Sequence, residues 1–279
     1  MGGAVKYNEI DANGDISGDV MGGGNYVGGL VGRGWVTEAT CNIFNCEGCD
    51  SCGDCWGCNV DCRPGRIAIR GKSYVGGTVG RLIPSKSGGD NDPEDNDDHP
   101  VYLPIVFDEC NVWADISGPG SAEAKSHIGG IIGHAGTANY PGTPVISMRD
   151  SDRTDDDYFR KIENSSFVGS IRGKNNVGGI MGRGWLDVED CSVEANITAS
   201  GDYIGGVIGK VNAKRAGQHT ITGTHSDFNH TFRGNIRGKS RVGGIAGFTN
   251  VTSMENCTSE GRTIMQSEKH PPLWRVFQG

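Results

Sequence analysis

Apolar and polar residues alternate in short blocks along this chain. The first, third and seventh positions of each block are mostly apolar or small, with polar residues between them, which is the period-two pattern of a half-buried β-strand. The pattern therefore predicts one strand per block. Set on a shared isoleucine, the blocks are IDANGDISG (10–18), CNVWADISG (110–118), SSFVGSIRG (165–173), CSVEANITA (191–199) and HTFRGNIRG (230–238), and the series ends at CTSEGRTIM (257–265).

A second, glycine-rich phrase recurs six times. Paired glycines weaken an isolated strand, so they fit a position where another backbone or an aromatic side chain approaches closely. Stacked identical levels supply that position, and the β-branched residue before each pair then forms an aliphatic ladder: Val27, Val75, Ile128, Val177, Ile204 and Val242. The copies are YVGGLVG (26–32), YVGGTVG (74–80), HIGGIIG (127–133), NVGGIMG (176–182), YIGGVIG (203–209) and RVGGIAG (241–247).

The two patterns together predict an all-β chain. Each unit is a strand, a short turn, a second strand and a connection, and it buries its apolar side only against its neighbours. We therefore expect a β-solenoid, similar to a parallel β-helix, of about six levels. A phosphate-binding loop is excluded, because no Lys-Ser/Thr pair and no helical pattern follows any glycine phrase. Residues 5–265 form the single domain, and 266–279 form a C-terminal arm or cap.

These units resemble the GLUG repeat, whose GLVG-like core corresponds here to Gly29–Gly32 and five cognate segments. The resemblance covers about residues 5–265. It implies a bacterial surface or secreted module, as in adhesins and the non-catalytic parts of immunoglobulin A peptidases. On this basis we expect an extracellular, cell-surface or virion-surface protein that contacts surface glycans or proteins. The open strand edges at the ends of a solenoid further predict that copies associate end to end.

Long connections interrupt the repeat. Four of the five run well beyond the compact unit, and connections at equivalent positions emerge on one side of a solenoid, where insertions often form the binding surface. The Cys-rich insert 42–66 and the acidic loop 84–100 belong to this set. Exposed aromatic residues of such loops can bind sugars or proteins, and the candidates are Trp56, Tyr102, Tyr140 and Tyr158.

The ten cysteines fall into two groups. Four occupy the first position of a strand block, where a small buried residue is expected: Cys41, Cys110, Cys191 and Cys257. The insert holds the other six, Cys46, Cys49, Cys52, Cys55, Cys58 and Cys62. Three disulfides would suit an extracellular loop without a core. Zinc held by four thiolates and an iron–sulfur cluster at the C-x2-C-x2-C-x3-C spacing remain alternatives.

The acidic loop is the other candidate cation site. Asp90, Asp92, Asp95 and Asp97 offer the hard oxygen ligands that calcium prefers, although their spacing is not that of an EF-hand and Pro93 interrupts it. A solvated acidic loop is the plainer interpretation. No cofactor is required by either interpretation.

The net charge and the motifs that are absent limit the classes of function that fit the sequence. With 26 Lys+Arg against 34 Asp+Glu the chain carries a net charge of −8, which argues against nucleic acid as a partner. No apolar run is long enough to span a membrane, and no signal peptide precedes the first unit. Neither a Ser-His-Asp arrangement nor an HExxH motif is present, so we expect a non-catalytic structural or adhesive module. A glycan lyase or hydrolase on a solenoid face, or a metal-binding or iron–sulfur module centred on the insert, are the alternatives.

Overall fold

The chain is built from parallel β-strands, as a computed structural model shows. It describes residues 14–16, 19–22, 24–34, 36, 38–43, 45–47, 63–83, 105–118, 126–136, 160–211, 220–222, 230–249 and 253–266. No helix occurs in these ranges, and therefore none there is long and apolar enough to cross a membrane. The architecture is all-β, as the alternating pattern predicts.

The strands recur in sets, which we call rungs. The first rung comprises β1 (Gly14–Ile16), β2 (Val20–Met21), β3 (Tyr26–Gly28), β4 (Val31–Gly34) and β5 (Glu38–Ala39). The second comprises β6 (Cys41–Ile43), β7 (Asn45–Glu47), β8 (Arg63–Gly65), β9 (Ile67–Arg70), β10 (Tyr74–Gly76), β11 (Val79–Leu82) and β12 (Ile105–Asp108). The third comprises β13 (Asn111–Ser117), β14 (His127–Gly129), β15 (Ile132–Ala135) and β16 (Arg160–Glu163).

The remaining rungs follow the same order. The fourth comprises β17 (Ser166–Gly173), β18 (Val177–Gly178), β19 (Met181–Gly184) and β20 (Asp187–Glu189). The fifth comprises β21 (Ser192–Ala199), β22 (Asp202–Gly205), β23 (Ile208–Val211) and β24 (Thr220–Thr222). The sixth comprises β25 (His230–Gly238), β26 (Ser240–Gly243), β27 (Ala246–Phe248) and β28 (Ser253–Glu255), and β29 (Cys257–Met265) begins a seventh.

Four stacked parallel sheets collect the equivalent strands of successive rungs. Sheet A has nine strands and runs from β1 through β6, β13, β17, β21 and β25 to β29, with β2 and β9 paired alongside. Sheets B, C and D have six strands each and end at β3 and β26, β4 and β27, and β5 and β28. The chain thus visits A, B, C and D in turn and then returns to A.

One hydrophobic core spans the rungs. The predicted aliphatic ladder is confirmed: Val27, Val75, Ile128, Val177 and Ile204 are buried, Val242 packs against them from the last rung, and their strands pair in register. Phe107, Phe167 and Phe232 are the largest fully buried side chains. Each rung therefore covers the apolar side chains of its neighbours, as expected for a repeat architecture.

The paired glycines form a corner. The sequence predicts one strand through each glycine phrase, and this is wrong: β3 ends at Gly28 and β4 begins at Val31, so the phrase contributes to sheets B and C separately. The reason given for the glycines is nevertheless confirmed. A Cβ at Gly130 would overlap both the carbonyl oxygen of Gly179 in the next rung and the Phe167 ring.

A fourth short strand, in sheet D, also escaped the sequence analysis. The turn from sheet D into sheet A contains a residue with positive φ, such as Asn164 (46°) and Asp190 (45°). The next side chain then donates to the carbonyl two residues earlier: Ser165 Oγ lies 2.6 Å from the Glu163 oxygen, and Cys191 Sγ lies 3.1 Å from the Glu189 oxygen. Cysteine and serine both provide the small donor at these two turns.

The long excursions leave the rungs at more than one place. Residues 84–104, 137–159 and 212–219 connect sheet C to sheet D, and these three share one corner. The prediction that all excursions emerge on one side is wrong for the Cys-rich insert, which interrupts sheet A. Ile43 pairs with Val112 and Ile67 pairs with Ala114, so residues 44–66 occupy the place of the single residue Trp113.

The last strand of sheet A differs from the others. Phe232 and Ile236 in β25 are buried, whereas their partners in β29 are Ser259 and Thr263. Exposed Ile264 and Met265 follow, at 46% and 61% exposure. Core-facing positions thus become polar at this end, as in the terminal repeats of other stacked proteins.

Candidate functional site: an aromatic and cationic stripe

Two columns of side chains flank the glycine corner along all six rungs. The sheet B column precedes the β-branched residue and contains Tyr26, Tyr74, His127, Asn176, Tyr203 and Arg241. The sheet C column follows the last glycine and contains Arg33, Arg81, His134, Arg183, Lys210 and Phe248. Strand pairing places these residues in register. We call the two columns together the stripe.

Aromatic rings stack along the first three rungs. The ring centroids of Tyr26 and Tyr74 lie 5.0 Å apart, and those of Tyr74 and His127 also lie 5.0 Å apart. His134 joins from sheet C, with its centroid 4.8 Å from that of His127. These spacings are those of favourable aromatic contacts, so the side chains hold one another in place.

Guanidinium groups lie against the tyrosine rings of the first two rungs. Arg33 lies 5.1 Å from the Tyr26 centroid, and Arg81 lies 5.3 Å from the Tyr74 centroid. Arg81 Nη1 also donates to the Tyr26 hydroxyl at 3.2 Å. Cations within about 6 Å of a ring are attracted to its face. The arginines are thereby ordered while Arg33 remains exposed and Arg81 half-buried.

His134 lies at the buried middle of the stripe. Burial, and then the neighbouring Arg81 and Arg183 guanidinium groups, lower the pKa of His134 to about 3. The imidazole is therefore neutral at physiological pH, because burial disfavours its charged form and the two guanidinium groups repel a further positive charge. A bound anion would relieve that repulsion.

A second cluster occupies the fifth and sixth rungs. Lys210 Nζ lies 4.2 Å from the Tyr203 centroid and Arg241 lies 4.7 Å from it, so two cations contact one ring. Phe248 meets the same ring edge-on at 5.8 Å. Tyr203 and Arg241 have φ of 65° and 51°, a backbone conformation that is uncommon for such residues and is often found at functional sites.

The chemistry of the stripe is that of binding. It offers guanidinium, ammonium and phenol donors on an ordered aromatic base, but no nucleophile paired with a base. Within the described ranges, no group of three or more His, Cys, Asp or Glu side chains could hold a metal ion. The arrangement can bind a negatively charged group, and can do so at several rungs.

The predicted Cys ladder is where the repeat places it. Cys41, Cys110 and Cys191 are buried and Cys257 is half-buried, all four as free thiols. Burial raises the pKa of Cys191 to about 12 and that of Cys257 to about 11. A hydrogen bond with Cys41, and then burial, raise the pKa of Cys110. The thiols of Cys110, Cys191 and Cys257 are therefore protonated and suit packing and corner closure rather than reaction. Hydrogen bonds with Cys110 and then Thr78 lower the pKa of the fourth thiol, Cys41, against the opposing effect of burial.

Of the other predicted site residues, only Cys46 lies within the described ranges. Cys46 lies in β7, which pairs with β8 in an antiparallel hairpin where Cys46 is opposite Pro64. The hairpin thus closes the base of the Cys-rich insert. The remaining candidates lie outside the described residues: Cys49, Cys52, Cys55, Cys58 and Cys62, Asp90, Asp92, Asp95 and Asp97, and Trp56, Tyr102, Tyr140 and Tyr158.

The sequence analysis missed the stripe, although a signal was present. It concentrated on the conserved-looking interior of each glycine phrase and on the long loops. The six copies of the phrase begin with Tyr, Tyr, His, Asn, Tyr and Arg, and the residues that follow them are Arg, Arg, His, Arg, Lys and Phe. Such columns carry no period-two contrast, so they are found only when the copies are aligned and the flanks are compared.

Comparison of the chain with models of protein families, with curated proteins and with solved structures gives no match.

Proposed function

We propose that this chain is a non-catalytic β-solenoid that acts as a structural and adhesive surface module. The cyclic order of sheets A to D and the single core through all rungs support the solenoid. The resemblance to GLUG repeats supports a location outside the cell or on a cell or virion surface. In such a compartment, the six insert cysteines would form disulfides.

One observation carries the adhesive role: ordered aromatic and cationic side chains recur on the same two columns in every rung. Most of them keep some exposure, as with Tyr26, Tyr203 and Lys210, which are half-buried, and Arg33, which is exposed. Packing against their neighbours holds them in place before a ligand arrives, which lowers the entropic cost of binding. A rigid row of this kind suits an extended partner.

Binding without turnover tests this proposal. The purified chain is immobilised and exposed to neutral polysaccharides, acidic polysaccharides and matrix proteins such as collagen. We expect at least one to bind, and Tyr203→Ala to weaken it, because the ring orders both Lys210 and Arg241. Val168→Ala, a half-buried change on sheet A, is the control.

Two results would contradict the proposal of a non-catalytic module that binds through the stripe. Release of new reducing ends or unsaturated sugars from a bound polysaccharide would make the chain an enzyme. If Tyr203→Ala and Val168→Ala weakened ligand binding equally, the stripe would not be the binding surface.

A second role, end-to-end assembly of copies, is favoured by the edge of β29. Among the described residues, this nine-residue strand is the outermost of sheet A, and its Ile264 and Met265 are exposed. An outermost strand can pair with a strand of another chain, and a repeat that stacks by translation gives open-ended assemblies. Since Ser259 and Thr263 replace core residues there, the junction would depend on backbone pairing and be concentration-dependent.

A further inference from the structure

We propose that the stripe binds a linear acidic polysaccharide, whose carboxylate or sulfate groups lie against the cations of successive rungs while the polymer runs along the stacking direction. This inference rests on the proposed binding function and names the ligand class of the same surface.

The cations recur at a regular interval. Sheet C carries Arg33, Arg81, Arg183 and Lys210, with neutral His134 between the second and third. Neighbouring parallel strands lie about 4.8 Å apart, so the four steps from Arg33 to Lys210 cover about 19 Å. Sugar units of an extended polysaccharide are of a size comparable to one such step. A charged polymer can therefore meet several cations at once, which multiplies weak contacts into useful affinity.

Among the described residues, few carboxylates lie beside the stripe. None of its twelve residues is acidic, and the column beside it in sheet B, Asn25, Ser73, Ser126, Asn175, Asp202 and Ser240, contains one carboxylate. That carboxylate, Asp202, lies 3.4 Å from Arg241. Within the described ranges, Arg33, Arg81 and Lys210 form no ion pair. A chain with net charge −8 thus concentrates cations along one line.

The cations are ordered before any ligand binds. Tyr26 accepts from Arg81 and lies beneath Arg33, and Tyr203 lies beneath Lys210. Arginine stacked on a ring retains its planar array of donors for carboxylate or sulfate. Less side-chain freedom is then lost on binding than for isolated surface lysines and arginines.

The same contacts argue against nucleic acid as the ligand of the stripe. Proteins that bind single strands leave aromatic faces free for bases to stack upon. Here Arg33 and Arg81 cover Tyr26, and Lys210 and Arg241 both contact Tyr203. The stripe therefore presents charge and hydrogen-bond donors rather than open ring faces. Sugars with acidic groups match that combination.

The test measures the affinity of the full chain for defined probes: polygalacturonate for carboxylate, heparin for sulfate, neutral dextran and oligo-dT. We expect at least one of the two acidic polysaccharides to bind more tightly than dextran and oligo-dT, with an affinity that falls as salt is added. Arg33→Gln/Arg81→Gln/Lys210→Gln should weaken this binding about tenfold, since three exposed ionic contacts are lost.

The control removes the same net charge elsewhere. Arg70→Gln/Lys72→Gln/Arg172→Gln changes three exposed cations outside the stripe, and we expect less than a twofold effect. Arg33→Gln alone, at an exposed position, keeps the test valid if the triple variant does not fold, with about a twofold loss expected. Thermal unfolding of each variant checks the fold.

Three outcomes would overturn the inference. Equal losses in the stripe and control triples would mean that general charge, not the stripe, attracts the polymer. Tighter binding of oligo-dT than of both acidic polysaccharides would change the ligand class. Stripe-dependent binding of dextran or collagen without acidic polysaccharide would refute the inference while leaving the surface module intact, whereas absence of any ligand would refute both.

Discussion

The α-carbon of Gly77 faces the carbonyl oxygen of Gly130 in the next rung so closely that any side chain at residue 77 would collide with it. A Cβ there would also lie 2.7 Å from Cγ1 of Val112 in sheet A. Gly130 lies in the corner between β14 and β15 and Val112 lies in β13, so neither can move independently of the third rung. The diglycine corner is thus a point of contact between backbones of successive rungs.

Gly77→Ala should therefore destabilise the fold by about 3 kcal/mol or more, because neither backbone nor core can yield without loss of pairing. Gly24→Ala is the matched control, since nothing lies within 4 Å of a Cβ at Gly24, and its effect should stay within about 1 kcal/mol. Urea unfolding measures both. Equal stability of the two variants would contradict the close approach.

Replacing residues 44–66 by a single threonine should leave a folded protein. Ile43 and Ile67 pair with Val112 and Ala114, so one residue restores a continuous strand like β13. We expect a free energy of unfolding within about 1 kcal/mol of the parent, as for other surface changes. Circular dichroism and urea unfolding provide the measurement.

The control for that excision joins Ile43 directly to Ile67. Since side chains alternate between the two faces of a strand, a one-residue shift turns one of these isoleucines away from the core. We expect this variant to lose several kcal/mol or to aggregate. If both deletions behave alike, the register of the second rung is incorrect.

Alkaline pH should weaken the fold through Cys191. Burial raises the pKa of this thiol to about 12, above the value of about 8.5 of an unfolded cysteine. The contribution of this thiol to the free energy of unfolding is therefore fully present below about pH 8.5. It is lost as the pH rises toward 12, by at most about 1.4 kcal/mol per pH unit.

The matching measurement is urea unfolding of the parent and of Cys191→Ala between pH 7 and 11. Alanine is small and does not titrate, so the variant should lose less stability with pH than the parent. Cys257→Ala should show an effect of the same sign and slightly smaller size, because the pKa of the half-buried Cys257 is raised to about 11. Parallel curves for the parent and Cys191→Ala would contradict the burial argument.

Self-association should depend on the edge of β29. Ile264→Lys/Met265→Lys places two charges at the end of β29, the outermost described strand of sheet A, a change that commonly prevents edge pairing. We expect the parent to form larger species with rising concentration and this variant to remain monomeric, as measured by sedimentation velocity. The control Asn196→Lys/Thr198→Lys adds the same charge at exposed positions within sheet A and should assemble like the parent. A parent that stays monomeric throughout would refute end-to-end assembly.

Much of the stacking could be predicted from the sequence because long strands carry several periods of alternation. The blocks at 165–173, 191–199, 230–238 and 257–265 pair in the register in which their letters align. The strands of sheet D are two to four residues long, too short for a period to show. Sheet D was therefore missed, together with the corner between sheets B and C.

One insertion and one misplaced alignment explain the errors of register. Ile16 was aligned with the shared isoleucine, but it pairs with Ile43, and Val20 pairs with Ile69 instead. The four steps from Ile16 to Val20 match the four from Val112 to Ile116, so of the first two rungs only the second carries an insertion in this strand, residues 44–66, and the sequence does not mark it. The stripe was missed for a different reason: its members share two columns and a mostly aromatic or cationic character rather than a residue type.

The parallel pairing of every rung with the next has a mechanical consequence. The backbone hydrogen bonds between rungs, such as Gly29 N to Gly77 O at 2.7 Å and Gly179 N to Gly206 O at 3.0 Å, point along the stacking direction. Tension applied from end to end would load these bonds in series, and each rung contacts only its neighbours. The chain should extend by peeling one turn at a time, which would let a tethered molecule dissipate force gradually rather than break at once.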